Sequence, residues 1–132
     1  MPTLFTRIIS KELPGRFVYE DDIAVAFLSI APITPGHVLV VPRQEVDQWT
    51  DAPDELLRHV ADVAKKVGNA AKAAYGAPRA GLIIAGLEVP HMHVHVFPAW
   101  TMGTFDFRNA KQATDAELDE AAAKLTAALA QS

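Results

Sequence analysis

The chain has 132 residues, half of them hydrophobic, a formal net charge of -4 and no cysteine. Its length predicts one domain spanning 1–132, and its composition excludes disulfides, thiolate nucleophiles and cysteine-zinc sites. The acidic balance argues against a nucleic acid polymer as partner, since such binding rests on many Lys and Arg contacts to phosphates, but it leaves room for a small anionic ligand.

Residues 4–12 read as a short helical turn ending before Pro14-Gly15, and no membrane span or secretory signal is expected there, because Thr6, Arg7, Lys11 and Glu12 interrupt it. No membrane partner and a cytoplasmic location follow as expectations. Arg16 to Glu20 and Ile23 to Ser29 read as strands around the Asp21-Asp22 turn. Pro35-Gly36 opens a third strand, His37 to Val41, stopped by Pro42. Leu56, Leu57, Val60, Val63, Val67, Ala71 and Ala74 recur at helical steps, with Asp51 as the expected cap and Gly76 and Pro78 as the stop. His59 on that helix reads as a surface residue. Ala80 to Ala85 and Val89 to Phe97 are two further strands. After a long loop, Thr114 and Glu117 form a capping box for a last helix with Leu118, Ala122, Leu125 and Leu129 on its apolar stripe. The sum is an α+β fold: a mostly antiparallel five-stranded sheet covered by one long helix, plus a C-terminal helix. The loop from Pro98 to Ala113 carries Trp100, Met102, Phe105 and Phe107, too apolar for a free tail. It is expected to pack on the domain, as a lid, or on a second subunit.

His91-Met92-His93-Val94-His95 places an imidazole at every second position. In an extended strand all three leave one face, while Met92, Val94 and Val96 leave the other. A single histidine is more often an ordinary surface or core residue, but three on one face act on one another. At about 6.7 Å per step, protonating two neighbours costs roughly 2 to 3 kcal/mol at an effective dielectric of about 20. At least one ring therefore stays neutral near pH 7, free to act as nucleophile, base or metal ligand. Zinc needs ligand nitrogens within about 3.4 Å of one another, whereas His91 and His95 start about 13 Å apart along a strand. No metal site is expected from the row alone, although two of its members with His37 remain conceivable ligands.

The run His91-Met92-His93-Val94-His95-Val96-Phe97 resembles the His-φ-His-φ-His-φ-φ signature of the histidine-triad (HIT) superfamily, closest in style to the Hint-like bacterial nucleotide hydrolases. Pro35-Gly36-His37-Val38-Leu39-Val40-Val41-Pro42-Arg43 looks like that family's Gly-His-x-Leu-Val-x-Pro-Lys/Arg strand, and Ile8-Ile9 through Tyr19-Glu20-Asp21-Asp22 to Ala26-Phe27 looks like its opening helix and hairpin. The resemblance covers about residues 4–98, leaving 99–132 as the aromatic loop and C-terminal helix. It implies a homodimeric nucleotide hydrolase or transferase acting on a purine nucleotide or nucleotide conjugate, with no cofactor. By position His93 would attack the α-phosphorus, His95 would contact the phosphate and leaving group, and His91 and His37 would support the histidine network. The nucleoside slot would be lined by Phe5, Ile8, Phe27, Leu28 and Ile30, with Ser29, Glu88 and Val89 completing the nucleotide-binding set. The long helix Pro53–Tyr75 and the strand Ala80–Ala85 would form the dimer surface.

The chain departs from the family pattern at several places. Ser29 stands where many relatives hold the ribose with an acidic or amide residue, and Gly86-Leu87-Glu88-Val89 stands where the family often reads Gly-Gln-Ser/Thr-Val. An asparagine common before that motif is absent, with Ala85 in its neighbourhood. Thr3 and Thr6 replace a Cys-x-x-Cys zinc half-site of some bacterial relatives. The leading expectation is cleavage of a nucleoside phosphoramidate or related conjugate through a nucleotidyl-histidine. A slow or non-catalytic nucleotide-binding regulatory protein, and a metal-dependent histidine enzyme, are the alternatives.

Overall fold

A computed structural model describes residues 2–131. Five strands form one antiparallel sheet in the order β1-β2-β3-β5-β4, with β1 at Phe17–Glu20, β2 at Ala24–Leu28, β3 at Val38–Pro42, β4 at Arg79–Ile83 and β5 at Val94–Ala99. Three helices accompany it: α1 Leu4–Ile9, α2 Asp54–Tyr75 and α3 Asp115–Ala130. The expected α+β class, an antiparallel five-stranded sheet with one long helix and a C-terminal helix, is what the chain adopts.

The alternation of side chains sorts the sheet into two faces. One face packs Ala26, Val38, Val40, Val94 and Val96 against Val60, Val63 and Val67 of α2 and Leu118 and Leu125 of α3. The other face carries Phe5, Val25, Phe27, Leu39 and Val41 at one end and Ile33, Phe97 and Ala99 at the other. Strands β2 and β3 are buried at every position, which explains their nearly unbroken apolar sequence. The histidines lie on the second face, between its two apolar clusters.

Several local expectations shift. Asp51 does not cap α2: it lies in a 3-10 turn, Trp49–Asp51, and Pro53 takes the cap position. Proline there needs no partner for an amide hydrogen, and its fixed φ suits a helix start. Pro42 is itself the last strand residue, opposite Ala24, and β3 stops there. Strand β5 begins at Val94, five residues later than its apolar alternation predicts. Before it, a tight turn bonds the His91 amide to the Val89 carbonyl, and the Met92 amide donates to Val46 at 2.6 Å. The strand instead runs through Pro98, which pairs with Ala80 of β4 beyond the last β3 pair at Val96. The missing proline amide therefore faces no partner strand on that side.

His59 is not a plain surface residue. Its Nε2 lies 2.7 Å from Asp21 Oδ2, tying α2 to the β1–β2 turn, where Asp21 also accepts from the Ile23 and Ala24 amides and the Tyr19 hydroxyl. The loop from Pro98 to Ala113 folds back on its own chain through two 3-10 turns, setting Phe105 5.2 Å from the Phe97 ring. A side chain at Gly81 would lie 2.5 Å from Phe97 and 2.6 Å from Phe105, so glycine is what lets these rings meet edge to face over β4.

A candidate nucleotidyl-transfer site

Gly36, at φ 93°, turns the chain into β3 where a Cβ would sit 2.5 Å from the Tyr75 ring. That turn delivers His37 beneath β5. The Ile33 amide donates to His37 Nδ1 at 3.0 Å, so the neutral ring carries its proton on Nε2. His37 Nε2 lies 3.0 Å from His95 Nδ1 and therefore donates to it. His95 in turn keeps its proton on Nε2. Burial, with the neighbouring His95, holds the His37 pKa down to about 3. Burial, with the neighbouring His93, holds that of His95 down to about 4. Both rings are thus neutral at pH 7.

His93 is fixed the other way round. Its Nδ1 lies 2.8 Å from the His91 carbonyl, which can only accept, so the proton is on Nδ1 and the Nε2 lone pair is left open. The ring is only 5% exposed, with Phe5 edge-on at 4.8 Å and His95 at 5.0 Å between ring centres. His91 is fully buried. Its Nε2 donates to the Pro42 carbonyl at 2.7 Å, and its Nδ1 accepts from the Thr3 hydroxyl at 2.7 Å. Burial lowers its pKa, against the opposing pull of the Pro42 carbonyl and Glu45.

The row thus presents a bare lone pair on His93 beside an N–H on His95. A nucleophile next to a hydrogen-bond donor is what displacement at a phosphorus centre requires.

A cleft of about 670 Å³ opens beside Phe5, and Phe5, Ile8, Phe27, Leu28, Ser29 and Ile30 all line it. The six apolar-slot and ribose candidates therefore meet in one place. Glu88 is exposed and Val89 packs beside the Phe5–Phe27 cluster; neither lines the cleft. The sequence pattern did not place four further residues at the site. Gln112, Asp115 and Leu118 form the far wall of the cleft, and Phe107 sets its ring 4.9 Å from His95. Only the apolar content of the loop pointed toward Phe107. Among the described residues no three His, Cys, Asp or Glu side chains are grouped so as to hold a metal ion.

The HIT domain family model matches residues 10–102. An uncharacterized HIT-like protein of Borreliella burgdorferi is 39% identical over 112 residues, covering 80% of this chain and 81% of that protein. A zinc-bound histidine triad family protein from Mycobacterium smegmatis superposes with a TM-score of 0.84 at 31% identity, over 97% of this chain and 93% of that one. A hypothetical histidine triad nucleotide-binding protein from Sulfolobus tokodaii gives 0.83 at 28% identity, over 96% and 91%. A HIT family hydrolase from Legionella pneumophila gives 0.66 at 31% identity, over 76% and 96%. With its sheet, its buried histidine row and this match over most of its length, the chain belongs to the HIT domain family.

Proposed function

We propose that the protein is a hydrolase or nucleotidyl transferase that cleaves a purine nucleoside phosphoramidate, or a related nucleotide conjugate, at the α-phosphorus. The observation that carries this reading is the opposed tautomers of His93 and His95, fixed by the His91 carbonyl and by His37. The His93 Nε2 lone pair attacks phosphorus, and the bond to the leaving nitrogen breaks. In a phosphoramidate protonated on that nitrogen, the group departs as a neutral amine. Water then attacks the nucleotidyl-histidine, the phosphorus–Nε2 bond breaks, and the water's surplus proton passes to solvent, which releases the nucleoside monophosphate and restores the lone pair. His95 donates a hydrogen bond from Nε2 and stays neutral throughout, because His37 already fills its other nitrogen with a donor. The nucleoside occupies the apolar cleft beside Phe5 and Phe27. Family membership and the nucleotide-binding neighbour support the ligand class, and the hydrolase neighbour supports the reaction class.

A second reading, a slow nucleotide-binding regulatory protein, is favoured by Leu87 and Glu88. Both are exposed, and neither supplies the amide or hydroxyl that the family often places before the triad. The deciding experiment is a turnover screen across adenosine phosphoramidates, dinucleotide polyphosphates and nucleotide sugars, with and without a chelator, for the natural protein and His93→Ala. Turnover that survives chelation and is lost in His93→Ala, with nucleotide affinity kept, supports the first reading. Binding without turnover supports the second. Loss of activity on chelation would mean a metal-dependent enzyme.

A further inference from the structure

Helix α1 supplies Leu4, Phe5 and Ile8 to one wall of the cleft and lays Phe5 edge-on against both His91 and His93. It has only six residues, and helices shorter than about 12 residues are marginal on their own in water. Its seat on the body must come from tertiary contacts. Burial of Phe5 supplies one, but apolar contact fixes neither the rotation of the helix nor the direction of a hydroxyl. Three polar contacts do. The Thr3 amide donates to Glu45 Oε1 at 2.8 Å, the Thr6 hydroxyl donates to the same oxygen at 2.6 Å, and the Thr3 hydroxyl donates to His91 Nδ1 at 2.7 Å. Thr3 Oγ1 also accepts the Thr6 amide and so caps the helix.

These contacts run without a break into the histidine row. Glu45 holds Thr3, Thr3 holds His91, and the His91 carbonyl holds His93 Nδ1. From the other side, the Pro42 carbonyl accepts from His91 Nε2, and Glu45 follows Pro42 by three residues. The end of β3 and the residues just after it therefore clamp both the helix and the first histidine.

We propose that Glu45 is a positioning residue: one of its carboxylate oxygens seats α1, so that Thr3 fixes the His91 ring and Phe5 closes the cleft against His93. Its part in nucleotide affinity rests on the function proposed above, whereas its part in seating α1 and His91 does not. Both donors meet the same oxygen, so the place of that acceptor is what seats the helix, while the carboxylate charge acts in addition on His91. Glutamine keeps that acceptor and alanine removes it.

The test uses Glu45→Ala, Glu45→Gln and Thr3→Val in the full chain, with three readouts: amide exchange over residues 4–9, the ¹⁵N resonance of His91 Nδ1, and the dissociation constant of AMP. Because Glu45 is exposed, both of its variants are expected to fold. Glu45→Ala should speed exchange in α1 and weaken AMP about three- to tenfold, the scale of losing one or two ordinary hydrogen bonds. Glu45→Gln should restore both to within about twofold. Thr3→Val should move the His91 Nδ1 resonance toward that of an unbonded nitrogen. Unchanged exchange in Glu45→Ala would overturn the proposal, as would a Glu45→Gln as impaired as Glu45→Ala. If the protein bound no nucleotide, the proposed function would fail while exchange and the imidazole resonance still decided the role of Glu45.

Discussion

Of the four imidazoles at the site, His93 alone has a ring nitrogen whose lone pair its neighbours leave open. His93→Ala should therefore lower turnover by several orders of magnitude with nucleotide affinity nearly unchanged, because only the bond-forming step is removed. His59→Ala, which breaks a tether to Asp21 remote from the row, should leave kcat within a few-fold. Single-turnover kinetics beside a nucleotide titration checks both. Ser29 poses a different question at the same scale. It lines the cleft, and its hydroxyl accepts from the Ala31 amide at 3.3 Å, which leaves one donor and one lone pair on a short, neutral group to meet a ribose. A carboxylate there would accept from both ribose hydroxyls, through charge-assisted bonds of about 1.5 to 3 kcal/mol each. The natural protein should discriminate adenosine from 2′-deoxyadenosine phosphoramidates by no more than about tenfold, or roughly 1.4 kcal/mol. Ser29→Asp should sharpen that preference toward ribose. Specificity constants for the matched pair in both proteins decide it, and a strong natural preference unmoved by Ser29→Asp would place the sugar elsewhere.

At the scale of elements, the sequence disclosed faces better than ends. Alternation put His91, His93 and His95 opposite Met92, Val94 and Val96, and the latter three do lie in the helix-side core. Alternation is a property of extended chain, however, whether or not a partner strand is present. It could not show that pairing starts only at Val94, nor that Pro98 continues it. The ring tautomers were likewise out of reach, because they depend on the turn that sets the Ile33 amide on His37 Nδ1 and on a contact remote in sequence, His37 to His95. The His37–His95 pair makes a testable demand on stability. Both rings titrate well below the ordinary histidine value of 6.5, near 3 and near 4. The unfolded chain thus binds more protons over that interval, and stability is present above pH 6.5 and lost as pH falls through the two folded values. Asp21 is different: burial works against its charge, but the Ala24 and Ile23 amides, with Tyr19 and His59, keep it below the usual carboxylate range. Its contribution is lost only at still lower pH. Urea unfolding measured from pH 7 to pH 4 should show stability falling by a few kcal/mol. His37→Gln, which keeps an acceptor for the Ile33 amide but cannot titrate, should flatten that slope. An equally steep slope in the variant would mean that other groups drive the acid sensitivity.

For the molecule as a whole, the two sheet edges differ. Strand β1 is joined to α3 by Arg16, which pairs with Asp115 and Asp119. Strand β4 ends the sheet on the other side with Leu82 53% exposed. Between β4 and α2 runs an open groove of about 330 Å³ lined by Ala64, Gly68, Lys72, Arg79 and Leu82. Gly68 brings the helix so near the strand that a Cβ there would meet Ala80 at 3.2 Å. An unpaired edge strand that leaves a leucine exposed is a surface that proteins usually cover, and the homodimer expected from the family resemblance would cover this one. Leu82 alternates with Gly81 and Ile83, which face the histidine side, so a substitution at Leu82 probes assembly without entering the site. Light scattering at micromolar concentration should give a mass of twice 14.3 kDa, with a melting temperature that rises with protein concentration, since association favours the folded state by mass action. Leu82→Glu should yield monomer and remove that concentration dependence, because a charge at the groove must be desolvated in every copy of a symmetric interface. A natural protein that scatters as a monomer under these conditions would remove the dimer and leave the α2–β4 groove as ordinary solvent-facing surface.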